Sequence, residues 1–349
     1  MEIEFPLQDV AITVAAVEVL EELADQSLQG EKPFFIGLGY HRPHLPFVFP
    51  EEFLNLYPTE DISLPSNRYV TENLPELAWS TYQEIRQYDD TSNEGLGLQN
   101  LGDFNTTFPD AKTLELRRAY YASVSYIDRE VGIVLRTLEG LGLAENTIVV
   151  LWGDHGWSLG ENSEWSKITN FEIANRIPFI LRVPGVTDDG LTTDQLVESV
   201  DIFPTILQAA GFPAPPLCPE ESGSIELCRE GRSLLPLLQE QKNTQWKKSV
   251  FWQFPRGEIW STSVYKCMGY TILTALEDGR RMRYTVWAGT TPDGEHSWTP
   301  DWINLCDHDE LYDLTDDPQE TVNRYSDPEY ADLKTSLYEK LRAGWRAEM

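Results

Sequence analysis

The sequence is poor in basic residues and has no long apolar run. It holds 27 lysines and arginines against 57 aspartates and glutamates, a formal net charge of −30 at pH 7. So acidic a chain repels phosphate groups, which excludes nucleic acid as the expected partner. We interpret the acidity as a solvated surface suited to a salty or extracellular setting, in preference to an acidic binding face.

Two further features are missing. No stretch approaches the roughly 18 unbroken apolar residues that a membrane-spanning helix needs, so no membrane span is expected. Residues 1–9, MEIEFPLQD, have neither the basic nor the apolar region of a signal peptide.

Cysteine is scarce, with four residues in 349. Cys218 and Cys228 flank a loop segment rich in Pro, Glu, Ser and Gly, at a spacing that fits neither a zinc pair nor a redox CxxC motif. We interpret them as a disulfide that closes this loop, with two unpaired thiols as the alternative. Such a disulfide would indicate an oxidising compartment. For Cys267 and Cys306, a disulfide and two buried thiols stay equally open.

Residues 1–210 alternate between helical and strand-like patterns. Helices are predicted over 10–28, where Asp9 can cap the start, and over 111–139. Short apolar runs predict buried strands, of which residues 33–40 are the first. This alternation is typical of an α/β fold whose mixed, mostly parallel sheet is flanked by helices. Residues 46–110 predict a long irregular excursion.

The pattern changes after about residue 240. The segments SVFWQF, YTILTAL and RMRYTVWAG predict antiparallel strands, and residues 327–347 predict a closing helix. We therefore expect two domains: an α/β domain over 1–240 and a smaller C-terminal α+β domain over 241–349 with a small antiparallel sheet.

Polar side chains follow two of the predicted strands, and ligands of open α/β sheets bind at the carboxyl ends of strands. His44 follows the strand over 33–40, Asp154 and His155 follow a second strand, and Lys167 lies on the loop beyond. An aspartate oxygen and a neutral imidazole can bind a metal, whereas Lys167 and His44 can donate to anionic oxygens. Taken singly, Asp154 could cap a turn, His155 could be a satisfied turn histidine and Lys167 could be solvated. Together they favour a site for an anion held beside a metal.

Several longer motifs resemble the sulfatase family within the alkaline-phosphatase superfamily. The segments that carry the resemblance are GYHRPHLPF, SVSYIDREVG, GDHGWSLGENSEWSK, IPFILRVPG and the tail ELYDLTDDPQETVN. CPEESGSIELCREG, MGY and RYTVWAG add a likeness to the iduronate-2-sulfatase group of that family. The resemblance extends over about residues 10–345. It implies a sulfuric ester hydrolase that acts on a sulfated saccharide in an extracellular, periplasmic or lysosomal setting.

The resemblance also implies roles for single residues. Asp154 and His155 match two metal ligands of the family, which usually binds one Ca²⁺. Lys167 matches the lysine that holds a sulfate oxygen. His44 matches the histidine that contacts both the sulfate and the nucleophile. Trp157 matches a residue that lines the substrate pocket.

The same resemblance implies a disulfide between Cys218 and Cys228. It also implies a formylglycine nucleophile, which the family makes from Cys or Ser in a C/S-x-P/A-S/A-R segment. The four cysteines here lie in LCPEE, LCREG, KCMGY and LCDHD, none of which fits.

The family also places two aspartates after its first strand as metal ligands, whereas the Asp-Asp pairs here lie in polar loops. Those pairs are residues 89–90, 188–189 and 316–317. We therefore expect a chain truncated at its N-terminus, without the nucleophile segment and inactive as given. The alternatives are a non-catalytic sulfatase-like protein that binds anionic glycans or a partner, and a phosphatase or phosphodiesterase of the same superfamily.

Overall fold

The structure is a computed structural model that describes residues 7–219, 225–239, 245–257, 265–292 and 298–348. The α-helices of these residues are α1 Gln8–Leu28, α2 Asn93–Leu96, α3 Asp110–Gly140, α4 Glu172–Asn175, α5 Ile202–Ala209, α6 Leu235–Gln239 and α7 Ala331–Ala343. The strands are β1 Val149–Trp152, β2 Ser158–Leu159, β3 Trp165–Ser166, β4 Phe179–Arg182, β5 Ser249–Gly257, β6 Tyr265–Ala275, β7 Arg281–Pro292, β8 Trp298–Leu305 and β9 Glu310–Asp313.

The chain forms two compact units. The first unit comprises residues 1–64, 108–149 and 182–185, and the second unit comprises residues 65–107, 150–181 and 186–349. The domain boundary predicted at 240/241 involves residue 240, which lies outside the described residues. The two-domain division at that point stays a prediction.

The first unit is built on the packing of α1 against α3. Leu20 and Ala24 of α1 form an apolar cluster with Leu138 near the end of α3. The helix predicted over 10–28 is confirmed, but its capping by Asp9 is wrong. The residue before the helix is Leu7, and Asp9 lies in the first turn with only 1% of its surface exposed.

The strand predicted over residues 33–40 is not formed. Phe34 and Ile36 pack against the α1–α3 cluster, whereas Phe35 between them is 82% exposed. The side chains therefore alternate between inside and outside as in a strand. A strand also needs a neighbour to bond its backbone, and within the described residues this segment has none.

The second unit contains a five-stranded antiparallel sheet. Its strand order is β5-β6-β7-β8, and β9 pairs with β7. Ile272, Met282 and Val286 on one face are fully buried and form a core with Leu337 and Leu341 of α7. The predicted antiparallel strands and closing helix are confirmed, while β8 and β9 are additions.

A buried ionic network lies in this unit. Arg283 is fully buried, its Nη2 lies 3.2 Å from Glu310 Oε2, and its Nε donates to Glu320. Glu320 Oε2 accepts the backbone N–H of Glu172 at 2.8 Å. Burial raises the pKa of Glu320 to about 7, and the charge of Arg283 opposes that rise. The network ties β7 and β9 to the start of α4.

Both cysteine pairs form disulfides. The Cα atoms of Cys218 and Cys228 are 4.9 Å apart, and those of Cys267 and Cys306 are 6.2 Å apart. The second pair, which the sequence left open, joins β6 to Cys306, the residue directly after β8. Residues 220–224 of the first loop lie outside the described part of the chain.

The excursion over 46–110 is irregular but well packed. In the second unit, its Trp79, Tyr82, Ile85 and Leu101 are at most 5% exposed. Burial of these apolar side chains holds the excursion in place without a regular ladder. No helix in the described ranges is long and apolar enough to cross a membrane.

Candidate functional site

The end of β1 presents Asp154 and His155 in the second unit. β1 pairs with β4, and Gly153, just past β1, donates its N–H to Pro178 O at 3.2 Å. The side chain of Asp154 is 88% exposed and that of His155 is 32% exposed, with 3.7 Å between Asp154 Oδ2 and His155 Nε2. His155 Nδ1 lies 2.9 Å from Gly156 O. Both side chains are therefore accessible at the end of the strand.

Gly156 allows the chain to pass close to α4. Its N–H donates to Ala174 O at 2.8 Å, and a Cβ at this position would lie 2.4 Å from Ile173 O. No side chain fits such a backbone contact. This glycine fixes the path of the chain between His155 and Trp157.

A tight β2–β3 hairpin follows, with Ser158 opposite Ser166 and Leu159 opposite Trp165. Its turn contains Asn162 at φ 54°, a left-handed conformation that asparagine tolerates. The Asn162 amide donates to Thr71 Oγ1 at 3.0 Å and to Gln319 O at 2.8 Å. Lys167 follows directly after this anchored hairpin.

Lys167 lies between an aromatic ring and a carboxylate. Its Nζ is 5.6 Å from the centroid of the Trp157 ring, and the rings of Trp157 and His155 stack at 6.2 Å. Lys167 Nζ also donates to Glu84 Oε1 at 2.9 Å. The structure thus brings together His155, Trp157 and Lys167, three residues that the sequence singled out. It adds Glu84, which no motif indicated.

A buried polar layer supports this cluster. Glu164 in the hairpin turn is 1% exposed, and its Oε1 accepts the Ser80 N–H at 2.9 Å. Burial raises the pKa of Glu164 well above its usual value, and the Arg256 charge and the Ser80 N–H oppose the rise. Arg256 also donates to the carbonyl oxygens of Ala78 and Ile168. These bonds fix the segments on either side of Lys167.

His44 lies in the first unit, on the HRPH loop. Its Nδ1 is 2.9 Å from Leu45 O, and its ring lies 5.2 Å from that of His41. The backbone N–H of His41 donates to Asp9 Oδ1 at 2.7 Å. Asp9, expected as a helix cap, holds this loop instead. The role of His44 in a sulfate site stays a prediction.

The residues fit a complete metal site poorly. In the part of the chain that the structure describes, no group of three or more His, Cys, Asp and Glu residues could hold a metal ion. Asp154 and His155 supply two donors, whereas Ca²⁺ takes about 6–8 oxygen ligands. These two donors alone are too few for a Ca²⁺ site.

The comparisons with known proteins agree with the motifs. The Sulfatase family profile matches residues 8–212. The chain belongs to the sulfatase family. It is 35% identical to iduronate 2-sulfatase of Mus musculus over 376 residues, 96% of this chain and 64% of that relative. This sulfatase-family chain thus spans about two thirds of that relative's length.

Solved structures show the same fold. One, in complex with its substrate D-glucosamine-2-N,6-O-disulfate, has a TM-score of 0.71 at 22% identity, over 97% of this chain and 69% of the other. The phosphonate monoester hydrolase of Agrobacterium radiobacter has a TM-score of 0.65 at 20% identity, over 95% of this chain and 60% of the other. These likenesses support the predicted α/β class of the alkaline-phosphatase-like sulfatases, with a sheet near the C-terminus.

Proposed function

We propose that the protein is a sulfuric ester hydrolase of the iduronate-2-sulfatase type, which removes sulfate from sulfated sugars. The observation that carries this proposal is the contact of Lys167 with Trp157, 5.6 Å from Nζ to the ring centroid, in a family member. An ammonium group donates charge-assisted hydrogen bonds to sulfate oxygens. The Trp157 ring is only 8% exposed, so it acts mainly by packing against Lys167 and His155.

The remaining site residues are assigned by the same proposal. Lys167 contacts the sulfate and stabilises the charge that develops on its oxygens, a preorganised electrostatic role. The small exposed part of Trp157 lines the substrate pocket. Asp154 and His155 would be two of the ligands of one Ca²⁺, which would supply positive charge beside the sulfate.

The nucleophile of the proposed reaction is the family's formylglycine. All four cysteines of this chain pair in disulfides, and none lies in a C/S-x-P/A-S/A-R segment. We therefore propose that residues 1–349 alone do not turn over sulfate esters. Removing a nucleophile that forms a covalent intermediate costs several orders of magnitude in rate.

The setting of the proposed activity is an oxidising compartment: extracellular, periplasmic or lysosomal. Two disulfides support this proposal, since such bonds persist where thiols are not kept reduced. A non-catalytic sulfatase-like protein that binds anionic glycans is the second candidate. It is favoured by the same lack of a nucleophile motif in residues 1–349.

Sulfate release from a sulfated uronic-acid disaccharide tests the proposal. The first arm uses residues 1–349 alone. The second adds a polypeptide that carries the family's formylglycine segment, produced together with a formylglycine-generating enzyme. We expect release only in the second arm, and we expect EDTA to abolish it. No release in either arm would favour the binding-protein candidate. EDTA-sensitive release by residues 1–349 alone would require a different nucleophile in this chain.

A further inference from the structure

The pairing of Glu84 with Lys167 joins segments far apart in sequence. The two charged groups are 2.9 Å apart, and their side chains are 21% and 24% exposed. Glu84 directly precedes a 3-10 turn, Ile85–Gln87, whose Ile85 is fully buried. Two residues earlier, Tyr82 donates its hydroxyl to Ser163 O at 2.7 Å. The carboxylate is therefore held by a fixed segment.

Stability gives a weak reason for this ion pair. A solvent-accessible pair between a lysine and a carboxylate contributes about 0–1 kcal/mol to folding. The buried bonds of Tyr82 and Arg256 already hold the neighbouring segments. The Glu84 carboxylate has a stronger effect on ligand binding, because it changes how tightly Lys167 can hold an anion.

We propose that Glu84 is a positioning residue for Lys167, and that its charge limits how tightly the site holds sulfate. This inference rests on the proposed function. The carboxylate fixes the ammonium beside Trp157, so that Lys167 meets an arriving anion without being reordered. An ammonium has three N–H donors and can bind a carboxylate and a sulfate oxygen at the same time.

The same carboxylate repels the anion that it helps to place. A sulfate bound to Lys167 lies near the negative charge of Glu84, which lowers the net positive potential at the site. The sulfate ester and the released sulfate are both held less tightly as a result. Glu84 thereby favours release of the inorganic product over its retention.

Titration calorimetry with inorganic sulfate, on the full chain at constant ionic strength, tests the inference. Glu84→Gln keeps the shape and an acceptor oxygen for Lys167 but removes the charge. We expect this variant to bind sulfate about threefold to tenfold more tightly than the wild type. Glu84→Ala also removes the acceptor, so that it should bind more weakly than Glu84→Gln. Glu84→Asp keeps the charge and should show no tightening.

Two controls make the result specific. Glu115→Gln removes an equal charge from another lysine pair, Lys112–Glu115 at 2.8 Å, and should bind sulfate as the wild type does. Lys167→Met should abolish sulfate binding.

Different results would contradict the role of Glu84 and the proposed function. If Lys167→Met abolishes binding but Glu84→Gln binds no more tightly than the wild type, the role of Glu84 is wrong and the proposed function stands. If the Glu84→Gln chain does not fold, the positioning role is also contradicted, because replacement of a positioning residue should leave the fold intact. If the wild type does not bind sulfate, or if Lys167→Met binds it equally well, the proposed function fails and this inference fails with it.

Discussion

The side-chain amide of Asn162 donates to the backbone oxygen of Gln319 at 2.8 Å, across 157 residues of sequence. The same Nδ2 lies 3.1 Å from Glu320 O. The C-terminal tail motif therefore holds the hairpin that precedes Lys167. Asn162 is 2% exposed, so no water replaces these bonds when the amide is removed.

Asn162→Ala should lower the free energy of unfolding by about 2–4 kcal/mol, because it removes the hydrogen bonds of a buried amide and puts alanine in a left-handed conformation. Urea unfolding measures the change. Asn105→Ala is the matched control: Asn105 also has a positive φ, 62°, but is exposed. Equal losses in the two variants would mean that backbone conformation alone accounts for the effect and that the tail does not hold the hairpin.

Replacement of Arg283 should be among the most destabilising single changes in the sheet. Arg283→Met leaves the carboxylates of Glu310 and Glu320 buried without their cation, at a cost of about 3–5 kcal/mol. Lys248→Met breaks an exposed pair with Glu277 and should cost less than about 1 kcal/mol. Urea midpoints at pH 7 compare the two. Similar losses would show that burial of the network contributes nothing.

Asp309 should make stability depend on pH. Burial raises its pKa to about 6, although the hydroxyl of Tyr284 donates to the carboxyl and opposes the rise. Because the folded-state pKa lies above the unfolded value of about 3.9, the stabilising contribution is complete below that value. It is lost as the pH rises through about 6.

Asp309→Asn keeps an acceptor for Tyr284 and removes the titration. The difference in melting temperature, wild type minus variant, should therefore fall between pH 4 and pH 7. The wild type loses at most about 3 kcal/mol relative to the variant over this range. A difference that stays constant, or that grows with pH, would contradict the raised pKa.

The two disulfides should contribute unequally. The closed loops have sequence separations of 10 and 39 residues. Loop entropy predicts a loss of about 3 kcal/mol for Cys218→Ser with Cys228→Ser and about 4 kcal/mol for Cys267→Ser with Cys306→Ser. Urea unfolding without reductant measures both. A larger loss from the shorter loop would mean that native-state contacts outweigh the entropy of the unfolded chain.

Sequence patterns predicted well the helices and strands that have regular apolar spacing. Apolar residues at helical spacing located α1 and α3, and an apolar run located β1. The strand predicted over residues 33–40 was wrong because an apolar run predicts burial, whereas a strand also requires a neighbouring strand. Strand β9 was missed because it is short, four residues, and lies beside the charged segment DHD.

The residues of the candidate site also divide into those that the sequence predicted and those that it did not. His155, Trp157 and Lys167 lie within 13 residues of sequence and were found together from one block of motifs. Glu84 could not be found because 83 residues separate it from Lys167, and a glutamate in a polar excursion carries no periodic or spacing signal. Asp9 was misread for a similar reason: its contact with His41 spans 32 residues. Long-range polar contacts depend on the packed fold.

The binding of a sulfated sugar by the Lys167 cluster is the central claim. The dissociation constants of a sulfated uronic-acid disaccharide and of its desulfated counterpart, measured with the full chain in the presence of Ca²⁺, test it most directly. We predict that the sulfated form binds at least about tenfold more tightly, since a charge-assisted hydrogen bond contributes about 1.5–3 kcal/mol. Lys167→Met should remove that preference. Equal binding of the two sugars by the wild type, or a preference that survives Lys167→Met, would contradict the account.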